Sequence, residues 1–478
     1  MRERLHLVGI GGIGMSALAR ILLAREIGVS GSDAQGSEIT ADLARRGATI
    51  SIGHHAEVVE GASRVVRSDA VHDDNPELVK ARSLGIPVIR RSQLLAELMQ
   101  AHRGIAISGT HGKTTVTAMV GAVLVAAGLD PTVVVGGVYG PLGGNARVGK
   151  GEWFVTEACE AYESYLDLTP EIAVVTNIEP DHLDHHKTEA HLRASFAEFL
   201  ARITPGGCAV LCADRPELRE VSAGLNREMI AYGLSPEAQV RGTEAASDGL
   251  GGRCRLWVEG RDEGELAVGV PGVHNLLNAL GAVAAALRAG ASVKEARQAL
   301  AEFRGAERRF QILGSPGGIT VVDDYAHHPS EIAATIAAAR TAFPGRRLVA
   351  VFQPHLYTRT RDFADGFAEA LSEADLVALV RIYPAREAPL PGVTTSLIAE
   401  PLRERWELVR RSPPQADEGG KDVLCELAKE EVAICLAPRL RPGDVVLVMG
   451  AGDVTEAAHR LAEHLRASPE GQQEVAGE

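Results

Sequence analysis

Cysteine is scarce and scattered. The six residues, Cys159, Cys208, Cys212, Cys254, Cys425 and Cys435, include one CxxxC spacing (Cys208 to Cys212) and no CxxC pair or neighbouring histidine to complete a zinc pattern. A disulfide scaffold and a structural zinc module are therefore not expected; reduced thiols in a cytoplasmic protein are. Long apolar runs are also missing, none reaching the roughly 18 residues of a membrane span. The N-terminal MRERLHLVGIGG passes directly into a strand-like segment, without the features of a secretory signal. Positive charge is in deficit: Lys plus Arg number 49 against 63 Asp plus Glu, a net charge of −14. The basic footprint of non-specific nucleic-acid binding is thus absent. Phosphate ligands remain possible, because a local cluster of backbone N–H groups, a lysine and a metal outweighs a distant negative field. No short-period repeat is present.

What is there is an alternation of strand-like and helix-period segments along 478 residues, enough for two to four domains. The alternation favours an α/β fold with parallel sheets. LHLVGI, MSALARILLARE and VSGSD open the series, which continues through GIPVIR and SQLLAELMQ to a break near Ala101–Arg103. GIAISG restarts it, followed by WFVTEA, IAVVTNI, GGCAVLCAD and an alanine-rich helix at 274–289. GAERRFQIL, 305–313, reads as a hinge into a third series with ITVVDDYA, LVAVFQP, LVALVRIY and DVVLVMGAGD. The expected domains are 1–102, 103–307 and 308–478. SPPQADEGG, 412–420, has the composition of a mobile surface loop.

Two strand-to-helix junctions are glycine-rich. Gly9, Gly11 and Gly14 fit G-x-G-x-x-G, and Asp33 ends the next strand. Glycine lets the backbone approach a pyrophosphate at a helix N-terminus, and the acid would take a ribose hydroxyl. The alternative is a merely tight turn. GTHGKTT, 109–115, is a shortened phosphate loop with Ile107 where the full pattern has its first glycine. Gly109 and Gly112 open the N–H groups, Lys113 reaches the β- and γ-phosphates, and Thr114 can ligate Mg²⁺. We expect a nucleoside triphosphate here.

Metal partners belong at the C-terminal ends of neighbouring strands. Glu157 sits at one such end; Asn177, Asp181 and His182 follow another. Glu157 is a candidate ligand of the triphosphate metal, and His182 of a second metal or of the transferring phosphoryl group. The His182, His185, His186 run lacks regular zinc spacing, which also suits solvated histidines. His274, Asn275 and Asn278 begin a helix, to read an adenine edge or to cap the helix. Asp323, Asp324, Tyr325, His327 and His328 crowd another strand end, and QPHLYTRTRD supplies His355, Arg359 and Arg361, a guanidinium being suited to a carboxylate.

Taken in order, GIGGIGMSALA, GTHGKTT, TEACE, TNIEPDHLD, GVHNLLNA, DDYAHHPSE, QPHLYTRTRD, IYPAREAPLPGV and VMGAGD span nearly the whole chain. The sequence resembles the Mur ligases of peptidoglycan synthesis, most closely their UDP-N-acetylmuramate–L-alanine branch. The resemblance implies three domains: a Rossmann-like N-terminal domain for the UDP-sugar, a central P-loop-type ATPase domain with a mostly parallel sheet, and a Rossmann-like C-terminal domain for the amino acid. It assigns Gly11, Gly12, Ile13, Gly14, Asp33, Gly144, Asn145 and Ala146 to the UDP-sugar. It gives ATP Gly109, Thr110, His111, Gly112, Lys113, Thr114, Thr115, Asn177, Asn275, Asn278 and Asp324, and the metal Thr114, Glu157 and His182. Tyr325, His327, His355 and Arg359 would face the amino acid, and Lys113, Glu157, His182 and His327 would serve catalysis. Relatives often carry arginine at Leu356 and serine at Asp69, and an EADESD form where Cys159, Ala161 and Tyr162 stand. HLRASFAEFL contains no lysine, unlike the Mur ligases that carry a carbamylated one there.

The implied reaction is ATP- and Mg²⁺-dependent. The lactyl carboxylate of UDP-N-acetylmuramate becomes an acyl phosphate, and the amine of L-alanine displaces phosphate. Neither nucleic acid nor membrane insertion is expected, and the chain could be monomer or dimer. Three alternatives compete: a recycling ligase that adds a tripeptide to the same sugar, an NAD-dependent oxidoreductase, and a non-catalytic nucleotide sensor. The oxidoreductase leaves GTHGKTT unexplained.

Overall fold

The structure, a computed structural model, describes residues 3–181, 183–410 and 421–467. His182 and the expected mobile loop at 412–420 lie outside them. The architecture is α/β, with three mostly parallel sheets, as the alternation of segments predicts.

The first sheet runs Thr49–Ile52, Gly28–Asp33, Arg4–Val8, Arg64–Arg67, Val88–Arg90, every pair parallel. Successive strands step outward on one side of Arg4–Val8 and then on the other. The order therefore switches beside the strand that feeds the first glycine loop, where open α/β sheets take their ligands. The helix Ile13–Ala24 follows, burying Met15, Leu18, Ala19 and Leu22 at helical spacing.

The second sheet has ten strands. At its centre Ile172–Val175 lies between Cys208–Cys212 and Arg103–Ser108, and Trp153–Glu157 flanks the latter, all parallel. IAVV and CAVLC are buried along their whole length because parallel strands are covered on both faces. The helix Lys113–Ala126 packs on Thr132–Tyr139 and Trp153–Glu157. Two parts of this sheet depart from the parallel expectation. Thr132–Tyr139 pairs antiparallel with Gly144–Arg147. Three strands, Val240–Asp248, Gly251–Val258 and Arg261–Val268, extend the other edge through two-residue connections, a length that joins antiparallel neighbours. Gly251–Val258 alternates buried and outward positions over much of its length, so polar residues occupy one face and hide the strand signal.

The third sheet runs Gln311–Gly314, Thr320–Asp324, Val445–Met449, Leu348–Phe352, Leu376–Val380, Asp422–Leu427, with only the first pair antiparallel. Its strands feed two cores by alternation: Ala350 and Phe352 join one, Val349 and Val351 the other.

The chain divides into two compact units. One comprises Met1–Ala245, Cys254–Val268 and Leu276–Ala306; the other, Ala246–Arg253, Gly269–Asn275 and Glu307–Glu478. The change of unit at Ala306/Glu307 falls within GAERRFQIL, where Arg308 and Phe310 take left-handed backbone conformations. Among the described residues no helix is long and apolar enough to cross a membrane, and all six cysteines are free.

Candidate active site

Both glycine loops end in helices whose first turns are left open. Helices Ile13–Ala24 and Lys113–Ala126 begin at Gly12 and Gly112, without a side-chain cap or an acidic residue in the first turn. Their N–H groups are therefore available to an anion. By contrast, Ser37 and Ser292 close the starts of Glu38–Arg45 and Val293–Ala301 with capping boxes.

In the first loop, the N–H groups of Gly9 and Ile10 donate to the Ser32 carbonyl at 2.8 and 2.9 Å. Gly11 N–H donates to Asp33 Oδ2 at 2.9 Å, so the acid expected to face a ribose also braces the loop. A side chain at Gly11 would crowd that same oxygen, and one at Gly14 would crowd the Arg91 guanidinium. The expected sugar-side segment meets this loop. Asn145 Nδ2 donates to Ile13 O at 2.7 Å and to Ser16 Oγ at 2.8 Å, while its Oδ1 is buried without a hydrogen-bond partner. Arg20 donates to the Gly143 carbonyl. Gly144 and Ala146 flank Asn145 on the strand Gly144–Arg147.

The second loop is held open by glycine geometry. Gly109 and Gly112 have φ of 126° and 85°, and a Cβ at either would strike Thr176 Oγ1 or Asn278 Oδ1. Asn278 is thereby at the phosphate loop. Asn177 grips the backbone of His111 from both sides, Oδ1 accepting its N–H at 2.9 Å and Nδ2 donating to its carbonyl at 3.2 Å. Its amide thus supports the loop. Thr110 Oγ1 accepts from Glu179 N at 2.9 Å, and His111 Nε2 lies 3.3 Å from Glu179 Oε2.

Lys113 Nζ donates to the carbonyls of Gly109 (2.5 Å) and Thr110 (2.9 Å) and pairs with the buried Glu160 carboxylate at 2.9 Å. Burial alone would lower the ammonium; Glu160, with Glu157 adding to it, outweighs that and holds Lys113 above the ordinary lysine range. Burial, with Glu160 beside it, pushes the Cys159 thiol up to about 11, so this thiol stays protonated. Thr114 and Thr115 are buried at the helix start. Glu157 ends Trp153–Glu157 and accepts the Gly136 N–H at 2.5 Å. A Cβ at Gly136 would lie 2.4 Å from Glu157 Oε2, and one at Gly137 would lie 3.3 Å from Thr114 Cγ2. The glycine pair on Thr132–Tyr139 therefore makes room for both expected metal ligands. His182, the third, lies outside the described residues.

The second unit gathers another polar group. Asp324 accepts from Phe310 N at 2.8 Å and Ala326 N at 2.7 Å. Burial pushes its carboxyl up to about 6 against the opposing pull of Arg309. The guanidinium groups of Arg308 and Arg309 lie over the Tyr325 ring at 4.9 and 5.0 Å. His327 contacts Tyr325 and His355 through its ring, with centroids 5.5 and 6.1 Å apart, and lies 3.1 Å from Glu331. Arg359 is buried. Leu356 is buried with φ 71°, its N–H bound to the Tyr383 carbonyl. Asn275 donates to the Pro271 carbonyl at 2.7 Å.

Three family models match in the order of the three sheets: Mur ligase family, catalytic domain, over residues 4–103; Mur ligase middle domain over 107–286; and Mur ligase, glutamate ligase domain, over 308–452. A UDP-N-acetylmuramate–L-alanine ligase of Sorangium cellulosum is 46% identical over 467 residues, covering 97% of each chain. The chain belongs to the Mur ligase family. Among solved structures, a UDP-N-acetylmuramate–alanine ligase of Thermotoga maritima superposes with TM-score 0.81 at 29% identity, covering 97% of this chain and 99% of that one. A murein peptide ligase of Psychrobacter arcticus shares the fold, with TM-score 0.71 at 24% identity, covering 98% and 99%.

Reading the sequence missed Glu160, Gly136 and Gly137 as parts of the site. Glu160 stands in the quoted TEACE, but its partner is 47 positions away in the chain, a pairing that local spacing does not reveal.

Proposed function

We propose that the chain is an ADP-forming ligase that joins L-alanine to the lactyl carboxylate of UDP-N-acetylmuramate, using ATP. The observation that carries the chemistry is the loop 109–115, with a paired lysine beneath an uncapped helix start. The choice of L-alanine rests on the relative at 46% identity over nearly the full chain, which bears that name. The tripeptide-adding alternative has a likeness of fold at 24% identity.

Three domains, 1–102, 103–307 and 308–478, would divide the work, in the cytoplasm. Gly11, Gly12, Ile13, Gly14 and Asp33, with Gly144, Asn145 and Ala146, hold the UDP-sugar. The open first turn takes its pyrophosphate. Gly109 through Thr115 cradle the triphosphate, with Asn177 shaping the loop, Asn278 beside it, and Asn275 and Asp324 on the nucleotide side. The left-handed glycines Gly109 and Gly112 give the loop a backbone shape that suits a phosphate, and the hydroxyl and carboxylate of Thr114 and Glu157 suit a hard cation. Mg²⁺ held there, with His182, would screen charge. Lys113 releases Glu160 to meet the terminal phosphate and neutralises the repulsion between it and the sugar carboxylate. The carboxylate becomes an acyl phosphate, and the alanine amine attacks its carbonyl carbon and expels phosphate. Tyr325, His355 and Arg359 orient the amino acid, Arg359 through its carboxylate. His327, anchored by Glu331, is placed to receive the amine proton.

Phosphate release measured against a panel of amino acids tests the reading. We expect release that requires both UDP-N-acetylmuramate and L-alanine; release with the tripeptide and not L-alanine would overturn it.

A further inference from the structure

At Glu163, three residues beyond the TEACE stretch, three donor groups converge that the ligase reaction does not use. Glu163, His186 and His191 each bring one ligand atom to within 4.8 Å of the others. The protonation pattern of the two imidazoles follows from their other nitrogens. His186 Nε2 lies 3.2 Å from the Glu160 carbonyl and His191 Nδ1 lies 3.0 Å from the His186 carbonyl. A carbonyl only accepts, so both of those nitrogens carry the hydrogen. The remaining nitrogens, His186 Nδ1 and His191 Nε2, present lone pairs when the rings are neutral. His186 is fully buried, its Nδ1 has no hydrogen-bond partner, and burial holds its imidazole below the ordinary histidine range.

His191 Nε2 faces Glu163 Oε1 at 3.6 Å, too far for a hydrogen bond. A lone pair opposite a carboxylate is unfavourable unless a proton or a metal cation lies between them, and the gap is wider than a hydrogen bond leaves. The spacing suits one, because two ligands on a tetrahedral ion at about 2.0–2.1 Å stand about 3.3 Å apart. His185 Nε2 is a further unpartnered nitrogen, 3.6 Å from Glu163 Oε2. The carboxylate is delivered by a strained backbone: Tyr162 and Glu163 are consecutive non-glycine residues at φ 53° and 54°, a conformation that persists where surroundings impose it. Backbone carbonyls bound to the outer nitrogens are the partners that metal-ligating histidines usually have, fixing the tautomer and the ring orientation.

We propose that Glu163, His186 and His191 form a transition-metal site for Zn²⁺ or an ion of similar preference, sharing no residue with Thr114, Glu157 and His182. Two imidazoles and one carboxylate select such an ion over Mg²⁺, which prefers oxygen ligands. The site borders the phosphate loop through Glu160, whose carbonyl accepts from His186 and whose carboxylate holds Lys113.

The test uses the full chain, stripped with chelator and dialysed against Zn²⁺ with Mg²⁺ in large excess, the bound zinc being counted per chain. His191→Gln and Glu163→Gln are compared, since both side chains are at least partly exposed and circular dichroism checks their folding. The expected result is one more zinc per wild-type chain than per variant chain, with a zinc-dependent rise in thermal midpoint in the wild type alone. Equal zinc in the wild type and either variant overturns the proposal, as does loss of the extra equivalent to Mg²⁺.

Discussion

Replacing Glu160 with glutamine isolates the pair on which the phosphate loop rests. Lys113 and Glu160 stand 2.9 Å apart, with side chains 14% and 2% exposed. At an effective dielectric near 20, unit charges at that distance attract by about 6 kcal/mol before desolvation. Breaking one partner of a buried pair costs about 3–5 kcal/mol, because the other charge is left uncompensated. The Gly109 and Thr110 carbonyls remain as acceptors and glutamine keeps an oxygen, so we expect the low end, about 3 kcal/mol. That loss lowers the midpoint of thermal unfolding by roughly 6 °C for a large domain. Nucleotide reverses the sign. If Lys113 must leave Glu160 to meet the triphosphate, the variant binds a non-hydrolysable ATP analogue more tightly, because no carboxylate competes. The full 3 kcal/mol corresponds to roughly 150-fold, and we expect a gain of at least about tenfold. Calorimetric titration and thermal unfolding with and without the analogue measure both quantities. Unchanged stability without nucleotide, or affinity reduced tenfold, would refute the reasoning.

Asp324 gives a pH signature. Its folded-state value of about 6 exceeds the ordinary 3.8, so the folded chain binds the proton more tightly. Its contribution is fully present below pH 4 and is lost as pH rises through 6, a change of about 3 kcal/mol. Denaturant titrations from pH 4 to 7.5 should show that decline in the wild type and a flatter profile in Asp324→Asn; parallel profiles contradict it. Gly136→Ala pushes a methyl group against Glu157 and should lower turnover by about 100-fold through misplacement of that carboxylate, with UDP-sugar affinity unchanged in a binding assay. Asn145→Ala removes two hydrogen bonds to the N-terminal helix and should weaken UDP-sugar binding by about 1–3 kcal/mol while leaving ATP affinity intact. Equal losses for both ligands would count against that division.

The parallel strands were legible because they are buried on both faces, and IAVV, CAVLC and LVAVF carry that burial in their composition. The strands at one end of the second sheet, Gly251–Val258 and the edge strand Arg261–Val268, were not, since a strand with one solvated face holds RDEGE without penalty. Local motifs likewise located the two loops, whose glycines and helix starts are contiguous in sequence. What sequence did not supply was the set of long-range partners: Asn145 for the N-terminal helix, Glu160 for Lys113, and Gly136 for Glu157.

Those partners explain why two loops of similar composition suit different ligands. The first is braced by an acid, Asp33, which already accepts an N–H from Gly11, and no lysine or arginine side chain lies in Gly9–Gly14. On the proposed assignment it holds a pyrophosphate that stays intact, through the dipoles of its helix start and with the Arg91 guanidinium beside Gly14. The second places a full ammonium at the loop and stores it against Glu160. A charge that is neutralised at rest and released to a phosphate contributes most where negative charge is redistributed during bond cleavage. On the proposed assignment, the difference between holding and transferring a phosphate therefore lies in whether a mobile cation has a carboxylate in which to wait.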